Sequence, residues 1–123
     1  MVEVSGSDRL EKLQIKDKLK GELREVEAAG LFIFIGAKPV TQWLTMDVIK
    51  DQRGFLETGV GLTKYDNYKK IWRKKRDPFL LETCTPGVFA AGDVRAGAMN
   101  RVASAVGEGA VAIKFVHEYL AEN

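Results

Sequence analysis

The most informative stretch of this chain is TPGVFAAGDV, residues 85–94. Pro86 and Gly87 favour a turn, residues 88–91 predict a short buried strand, and Gly92 with Asp93 ends it. In an open α/β sheet, ligands bind beyond the carboxyl ends of the strands, where Asp93 would lie. A carboxylate there can accept hydrogen bonds from sugar-type hydroxyl groups, and Gly92 permits a close approach to the backbone. The alternative is an Asp93 that only caps a turn.

The residues that follow predict a long helix. A glycine-containing loop, residues 96–98, leads to Asn100, which we expect to be the N-cap. Apolar or small residues then recur every three or four positions, and that spacing predicts one continuous stripe on a helix. The stripe consists of Val102, Val106, Gly109, Ile113, Val116 and Leu120. The start of such a helix offers unpaired backbone N–H groups to electronegative ligand atoms.

The first 36 residues predict β structure. Apolar and polar residues alternate around Val4 and Leu13, the turn-forming cluster SGSD lies between them, and a weaker strand follows at residues 23–26. A β meander is the simplest interpretation. The unbroken apolar run LFIFI, residues 31–35, is bounded by two glycines and predicts a strand buried on both faces.

Residues 37–82 are less distinctive. We expect a short helix or turn at residues 41–48 and a short strand at residues 54–59. Residues 64–76, KYDNYKKIWRKKR, carry seven basic residues and one acid. The favoured interpretation is a solvated surface segment in which Tyr68 and Trp72 pack on the protein body. A patch that binds phosphate groups or nucleic acid is the alternative.

The composition excludes several classes of protein. The chain has 123 residues, with 19 Lys and Arg against 17 Asp and Glu, so its net charge of +2 gives no general case for nucleic acid. The lone Cys84 excludes a disulfide framework or a Cys-x-x-Cys pair within the chain, and the lone His117 excludes a multi-histidine metal site. No apolar stretch suits a membrane span, and the N-terminus is unlike a signal peptide. We therefore expect a cytoplasmic protein without membrane contact.

A literal dinucleotide pattern, G-x-G-x-x-A, occurs at Gly107–Ala112. A phosphate-binding loop of that type must follow a strand and open a helix, whereas this match falls inside the predicted helix. We interpret its glycines as close-packing residues. The chain therefore has no predicted cofactor loop of this kind.

Residues 85–94 resemble the C-terminal flavin motif of the thioredoxin reductase-like, FAD-dependent pyridine nucleotide–disulfide oxidoreductases. That motif is a Thr, a short gap, an apolar strand and Ala-x-Gly-Asp. Residues 30–36 look like the strand that leads out of the family's pyridine nucleotide domain. Residues 101–109 look like the final helix, which caps the flavin ring. The resemblance covers about residues 2–121.

The resemblance implies a role for five residues. Asp93 would hydrogen-bond the ribityl chain of FAD, and Gly92 would allow its close approach. Arg101, Val102 and Ala103 would approach the pyrimidine end of the flavin, mostly through backbone N–H groups. Arg101 would also stabilise the anionic reduced flavin. The resemblance assigns no catalytic residue and no metal ligand to this chain.

The implied fold is α/β: a β meander plus the C-terminal half of a Rossmann-like, three-layer FAD/NAD(P)-binding domain. Residues 1–36 would be the tail of the pyridine nucleotide-binding domain, and residues 37–123 the C-terminal half of the FAD-binding domain. Both glycine loops and the Cys-x-x-Cys of the family are missing from the sequence. The chain thus resembles the C-terminal piece of a longer reductase.

The intact enzyme would pass a hydride from NADPH to FAD and electrons on to a disulfide or similar acceptor. The expected partners are FAD, the N-terminal part of the parent reductase and a second copy of this chain. Alone, the chain is expected to bind FAD weakly or not at all and to have no turnover. The alternatives are a standalone, non-enzymatic oligomerising module or relic, and a basic module that binds an anionic partner through residues 69–76.

Overall fold

Alternating apolar residues near the N-terminus form the predicted meander. In the computed structural model, which describes residues 1–122, three antiparallel strands lie in the order β1 (Glu3–Ser5), β2 (Lys12–Lys16) and β3 (Leu23–Glu27). Val4, Leu13 and Val26 lie opposite one another across the sheet, and Leu13 is buried. The predicted meander is confirmed, and with it the coarse α/β class, because alternation with period two places these apolar side chains on one face.

The chain divides into two compact units, Met1–Gly36 and a second that begins at Ala37. Asn123, the last residue of the predicted second domain, lies outside the described residues. Neither α2 (Val102–Ala121) nor another helix within residues 1–122 is long and apolar enough to cross a membrane.

The apolar run at residues 31–35 does not form the predicted buried strand. Phe32 is 82% exposed and Phe34 is 91% exposed. A strand buried on both faces needs a neighbouring strand and a covering layer on each face. Within residues 1–122 no strand pairs with this run, and its backbone makes no hydrogen bond. The prediction was wrong because these partners are not present around the segment.

The core of the second unit forms around the basic segment. Ile49, Leu62, Tyr68, Trp72 and Cys84 pack together. Leu62 comes from a 3-10 helix, Gly59–Lys64, and Tyr68 begins the short helix α1 (Tyr68–Ile71). The prediction that Tyr68 and Trp72 pack on the body is confirmed, whereas Lys69 and Lys70 are exposed.

The two short strands predicted for the second unit are reduced to single bridges. Leu56 bridges Lys50 and Arg95, and Phe89 bridges Glu82. Residues 41–48 contain a turn at residues 42–43 and no helix. Hydrogen-bonded ladders need adjacent extended chains, and the described part of this unit supplies only isolated partners.

Helix α2 is confirmed, but it begins one residue later than predicted. The N-cap is Arg101, whose backbone is extended, rather than Asn100, and no side chain caps it. The carbonyl of Arg101 accepts the first helical hydrogen bond, from the N–H of Ala105 at 3.0 Å.

The predicted stripe of α2 faces solvent. Val102 is 84% exposed and Ile113 is 59% exposed. The helix uses another face, on which Phe115 stacks on Phe79 with ring centroids 5.1 Å apart and Tyr119 lies over Gly87. The spacing of apolar residues identified the more apolar face of α2. A different face packs, the one that carries Phe115 and Tyr119, because these aromatic side chains have partners.

The fully buried carboxylate of Glu82 links several parts of the second unit. The guanidinium of Arg76 donates to it at 2.7 and 3.1 Å, and the N–H groups of Phe79 and Gly87 donate at 2.9 and 2.8 Å. Arg76 also pairs with Glu122 and lies 4.0 Å from the centre of the Phe79 ring. The hydrogen bond to Glu82 raises the pKa of Arg76. Burial of this charge is tolerated because it is paired and hydrogen-bonded.

Replacement of Glu82 should therefore destabilise the second unit strongly. Glu82→Ala leaves Arg76 without its buried partner, and we expect a loss of about 3–5 kcal/mol in the free energy of unfolding. Urea denaturation followed by tryptophan fluorescence measures it, because Trp72 lies in the core of this unit. The control is Glu118→Ala, which removes an exposed pair with Lys114 and should leave the transition unchanged. Equal transitions for both variants would contradict the role given to Glu82.

Candidate functional site

An open cleft of about 270 Å³ lies between residues 92–94 and the N-terminus of α2. It is lined by Asp93, Asn100, Arg101, Val102, Ala105 and Val106. Asp93, Arg101 and Val102, three of the five predicted site residues, are thus brought together. The other two are not in the lining: Gly92 lies against Ala105, and Ala103 is exposed in the first turn of α2.

Gly92 gives the turn its shape. It begins a 3-10 turn, Gly92–Val94, with φ of +71°, a conformation that side-chain-bearing residues rarely adopt. A Cβ at this position would lie 3.2 Å from the Cβ of Ala105, so the turn and α2 approach closely. Leu56 holds the far end of the turn, because its N–H donates to Val94 at 2.9 Å and its carbonyl accepts from Ala96 at 2.8 Å.

Glu108 is a site residue that the sequence interpretation missed. From α2, its carboxylate accepts hydrogen bonds from the N–H of Gly92 at 2.7 Å and from Arg95, with one Arg95 contact at 3.1 Å. The Arg95 hydrogen bond, assisted by the Gly92 N–H, lowers the pKa of Glu108. The sequence shows only an acid and a base 13 residues apart. They pair because α2 crosses close to the turn at Gly92, which the sequence does not reveal.

The glycines on either side of Glu108 do not have the predicted packing role. A Cβ at Gly107 or at Gly109 would meet no other atom within 4 Å. Gly109 belongs to the stripe that faces solvent, and Gly107 is itself exposed.

The two walls of the cleft carry complementary groups. Asp93 is exposed, and its carboxylate makes no hydrogen bond or ion pair with other residues in the range 1–122. Opposite it, the first N–H groups of α2 have no side-chain cap, and Arg101 adds a positive charge. The cleft can therefore accept hydrogen bonds from hydroxyl groups on one side and donate to electronegative atoms on the other.

The lone cysteine lies away from this cleft. Cys84 is fully buried, its Sγ lies 3.4 Å from the carbonyl oxygen of Asp47, and burial raises the pKa of the thiol. A buried thiol with a raised pKa is a poor nucleophile. Within the described chain no group of three or more His, Cys, Asp or Glu side chains could hold a metal ion.

Comparisons with known proteins identify relatives along nearly the whole chain, although no family model matches it. The thioredoxin reductase of Treponema pallidum is 32% identical over 117 residues, which are 95% of this chain and 32% of that protein. The mitochondrial thioredoxin reductase 1 of Arabidopsis thaliana is 31% identical over 115 residues, which are 94% of this chain and 26% of that protein.

Solved structures give the same result. The thioredoxin reductase of Streptococcus pyogenes has a TM-score of 0.64 at 29% identity, over 98% of this chain and 34% of that one. That of T. acidophilum has a TM-score of 0.60 at 30% identity, over 97% and 33%. The similarity in sequence and in fold confirms the resemblance found in the sequence. The chain is homologous to a portion of thioredoxin reductase, and it spans about a third of the length of the relatives it matches.

Proposed function

We propose that this chain forms one wall of an FAD site, as the C-terminal part of the FAD-binding domain of a thioredoxin reductase-like flavoprotein. One observation carries the proposal: the unpartnered carboxylate of Asp93 and the uncapped start of α2 line the same cleft. These are the residues that resemble the flavin motif of the family.

The groups of the cleft fit the parts of a flavin. Asp93 offers an acceptor to the ribityl hydroxyl groups, and Gly92 lets the turn that carries Asp93 pack closely against α2. Val102 and Ala103, in the first turn of α2, offer N–H groups to the pyrimidine oxygen and nitrogen atoms. The charge of Arg101 would favour an anionic reduced ring.

The cleft is one wall and not a complete site. At about 270 Å³ and open to solvent, it falls short of the roughly 300–1,000 Å³ of whole ligand pockets. On this proposal residues 1–36 are the tail of a pyridine nucleotide-binding domain, and residues 37–123 are the C-terminal half of a Rossmann-like, three-layer FAD domain. The remaining two thirds of a reductase would supply the glycine loops.

Bound FAD would supply the hydride and electron transfer of the intact enzyme, from NADPH to a disulfide or similar acceptor. The residues of this chain would contribute binding, orientation and charge. Asp93 would hold the ribityl chain, and the start of α2 would fix the pyrimidine edge. The chain alone is not expected to turn over.

A direct test is an NMR titration of the chain with FAD. We expect chemical-shift changes at the backbone amides of Gly92, Asp93, Val102 and Ala103. The dissociation constant should be about 1 mM or above, because only one wall of the site is present. FMN should cause the same shifts because it shares the ribityl chain and the ring, whereas AMP should not.

The Asp93→Ala variant should lose these shifts, because it removes the acceptor for the ribityl hydroxyl groups. The matched control is Asp66→Ala, which removes an exposed acid outside the cleft. Flavin-induced shifts that miss the cleft, or that persist in Asp93→Ala, would refute the assignment of the site.

The role of Arg101 can be measured in a chimera. Residues 37–123 would replace the matched C-terminal segment of the Streptococcus pyogenes reductase, and the flavin potential would be determined by redox titration. Arg101→Ala should lower the potential, because a positive charge near the reduced ring is lost. Arg73→Ala, an exposed base outside the cleft, is the control. An unchanged potential in Arg101→Ala would remove this role.

A second candidate function is a standalone oligomerising module, and the exposed stripe of α2 favours it. Val102, Val106, Ile113 and Leu120 are 59–84% exposed on one helix face. Contiguous apolar surface of this kind marks a protein–protein contact. In a whole reductase the N-terminal part would be the partner, and in the isolated chain a second copy would be.

We expect the isolated chain to self-associate in analytical ultracentrifugation, because the stripe is then uncovered. Val106→Lys combined with Ile113→Lys should shift the distribution toward monomer. Lys114→Glu, on the same helix outside the stripe, should not. A wild-type chain that sediments as a monomer at all concentrations would argue against the module.

A further inference from the structure

One side chain of α2 holds both ends of the turn that carries Asp93. The Glu108 carboxylate accepts from the N–H of Gly92, just before Asp93, at 2.7 Å. It also binds the guanidinium of Arg95, two residues after Asp93, through both oxygens. The side chains of Arg95 and Glu108 are 19% and 18% exposed, so the pair is largely shielded from solvent.

Asp93 depends on this support because it has none of its own. Its carboxylate has no protein partner within residues 1–122, so the backbone alone determines where it lies. That backbone is held at Leu56, at Ala105 and at Glu108. Of these three, only Glu108 supplies charge-assisted hydrogen bonds, which are stronger and more directional than neutral ones.

The same contact fixes the distance between the two walls of the cleft. Glu108 lies six residues after Val102, about 9 Å along α2 at 1.5 Å per residue. The helix that carries Glu108 also carries the N–H groups of the opposite wall. A helix that slid along or turned away from residues 92–95 would move those groups relative to Asp93.

We propose that Glu108 is a positioning residue, which sets Asp93 at a fixed distance from the N-terminus of α2 through Gly92 and Arg95. The effect of Glu108 on flavin binding rests on the function proposed above. The contact of Glu108 with Gly92 and Arg95 does not rest on that function, so the contact and the effect on binding can be tested separately.

The first test uses the chain without ligand. In Glu108→Ala the amide proton of Gly92 should move upfield and exchange with solvent about tenfold faster, as loss of a charge-assisted hydrogen bond predicts. Glu108→Gln should give an intermediate result, because its amide oxygen still accepts from Gly92 but cannot pair with Arg95 as an ion. The matched control is Glu118→Ala, an exposed acid on the same helix.

Two readouts separate positioning from simple loss of stability. The amide of Gly87, held by Glu82 elsewhere in the unit, should exchange as in the wild type in all three variants. In the wild type, the Gly92 amide shift should follow the ionisation of Glu108. Because the pKa of Glu108 is lowered, the contact should persist at neutral pH and be lost only below the ordinary glutamate value of about 4.3.

The second test joins the contact to the flavin. In the chimera with the Streptococcus pyogenes reductase, where the rest of the flavin site is present, Glu108→Ala should weaken FAD binding about tenfold, and should have no further effect in an Asp93→Ala background. Such a double-mutant cycle shows that the two residues act together. An unchanged Gly92 amide in Glu108→Ala would overturn the proposal, and so would an additive cycle. If the wild-type chain shows no FAD shifts at all, the proposed function fails while the Gly92 amide still decides the role of Glu108.

Discussion

The second unit is organised around the buried carboxylate of Glu82. This carboxylate has no access to solvent, so each of its oxygen atoms must find donors within the protein. Arg76 and the N–H groups of Phe79 and Gly87 supply them, which joins the end of the basic segment to the turn before residues 88–94. The same guanidinium reaches Glu122 beyond the last turn of α2, so one arginine links three separate parts of the chain.

Helix α2 is thus attached to the rest of the unit by ion pairs at two levels. Arg76 binds Glu122 near its C-terminal end, and Arg95 binds Glu108 closer to its start. Between them the contacts are aromatic, with Phe115 stacked on Phe79. These attachments select which face of the helix turns inward, and they leave its most apolar stripe in solvent. They also place the start of α2 beside Asp93, which creates the cleft.

Much of the fold and part of the site followed from local patterns. Alternation around Leu13 predicted the meander, and the 3.6-residue period predicted α2. Asp93, Arg101 and Val102 were expected to share a site, and they line one cleft. The apolar run at residues 31–35 shows the limit of such patterns. Its composition suits a buried strand, but burial needs partners on every side, and none is present within the described chain.

Near neighbours along the chain set the strand and helix periods, the glycine turn at Gly92 and the motif that resembles thioredoxin reductases. Three features follow only from the folded chain: the face of α2 that packs, the buried contacts of Glu82, and the contact of Glu108 with the turn beside the cleft. The two sets of features differ in the distance along the chain over which their interactions act. Steric preferences and periodicity act over a few residues, whereas the ion pair of Arg95 and Glu108 spans 13 residues and that of Arg76 and Glu122 spans 46. Such pairs form only when the chain folds, so no local pattern of the sequence predicts them.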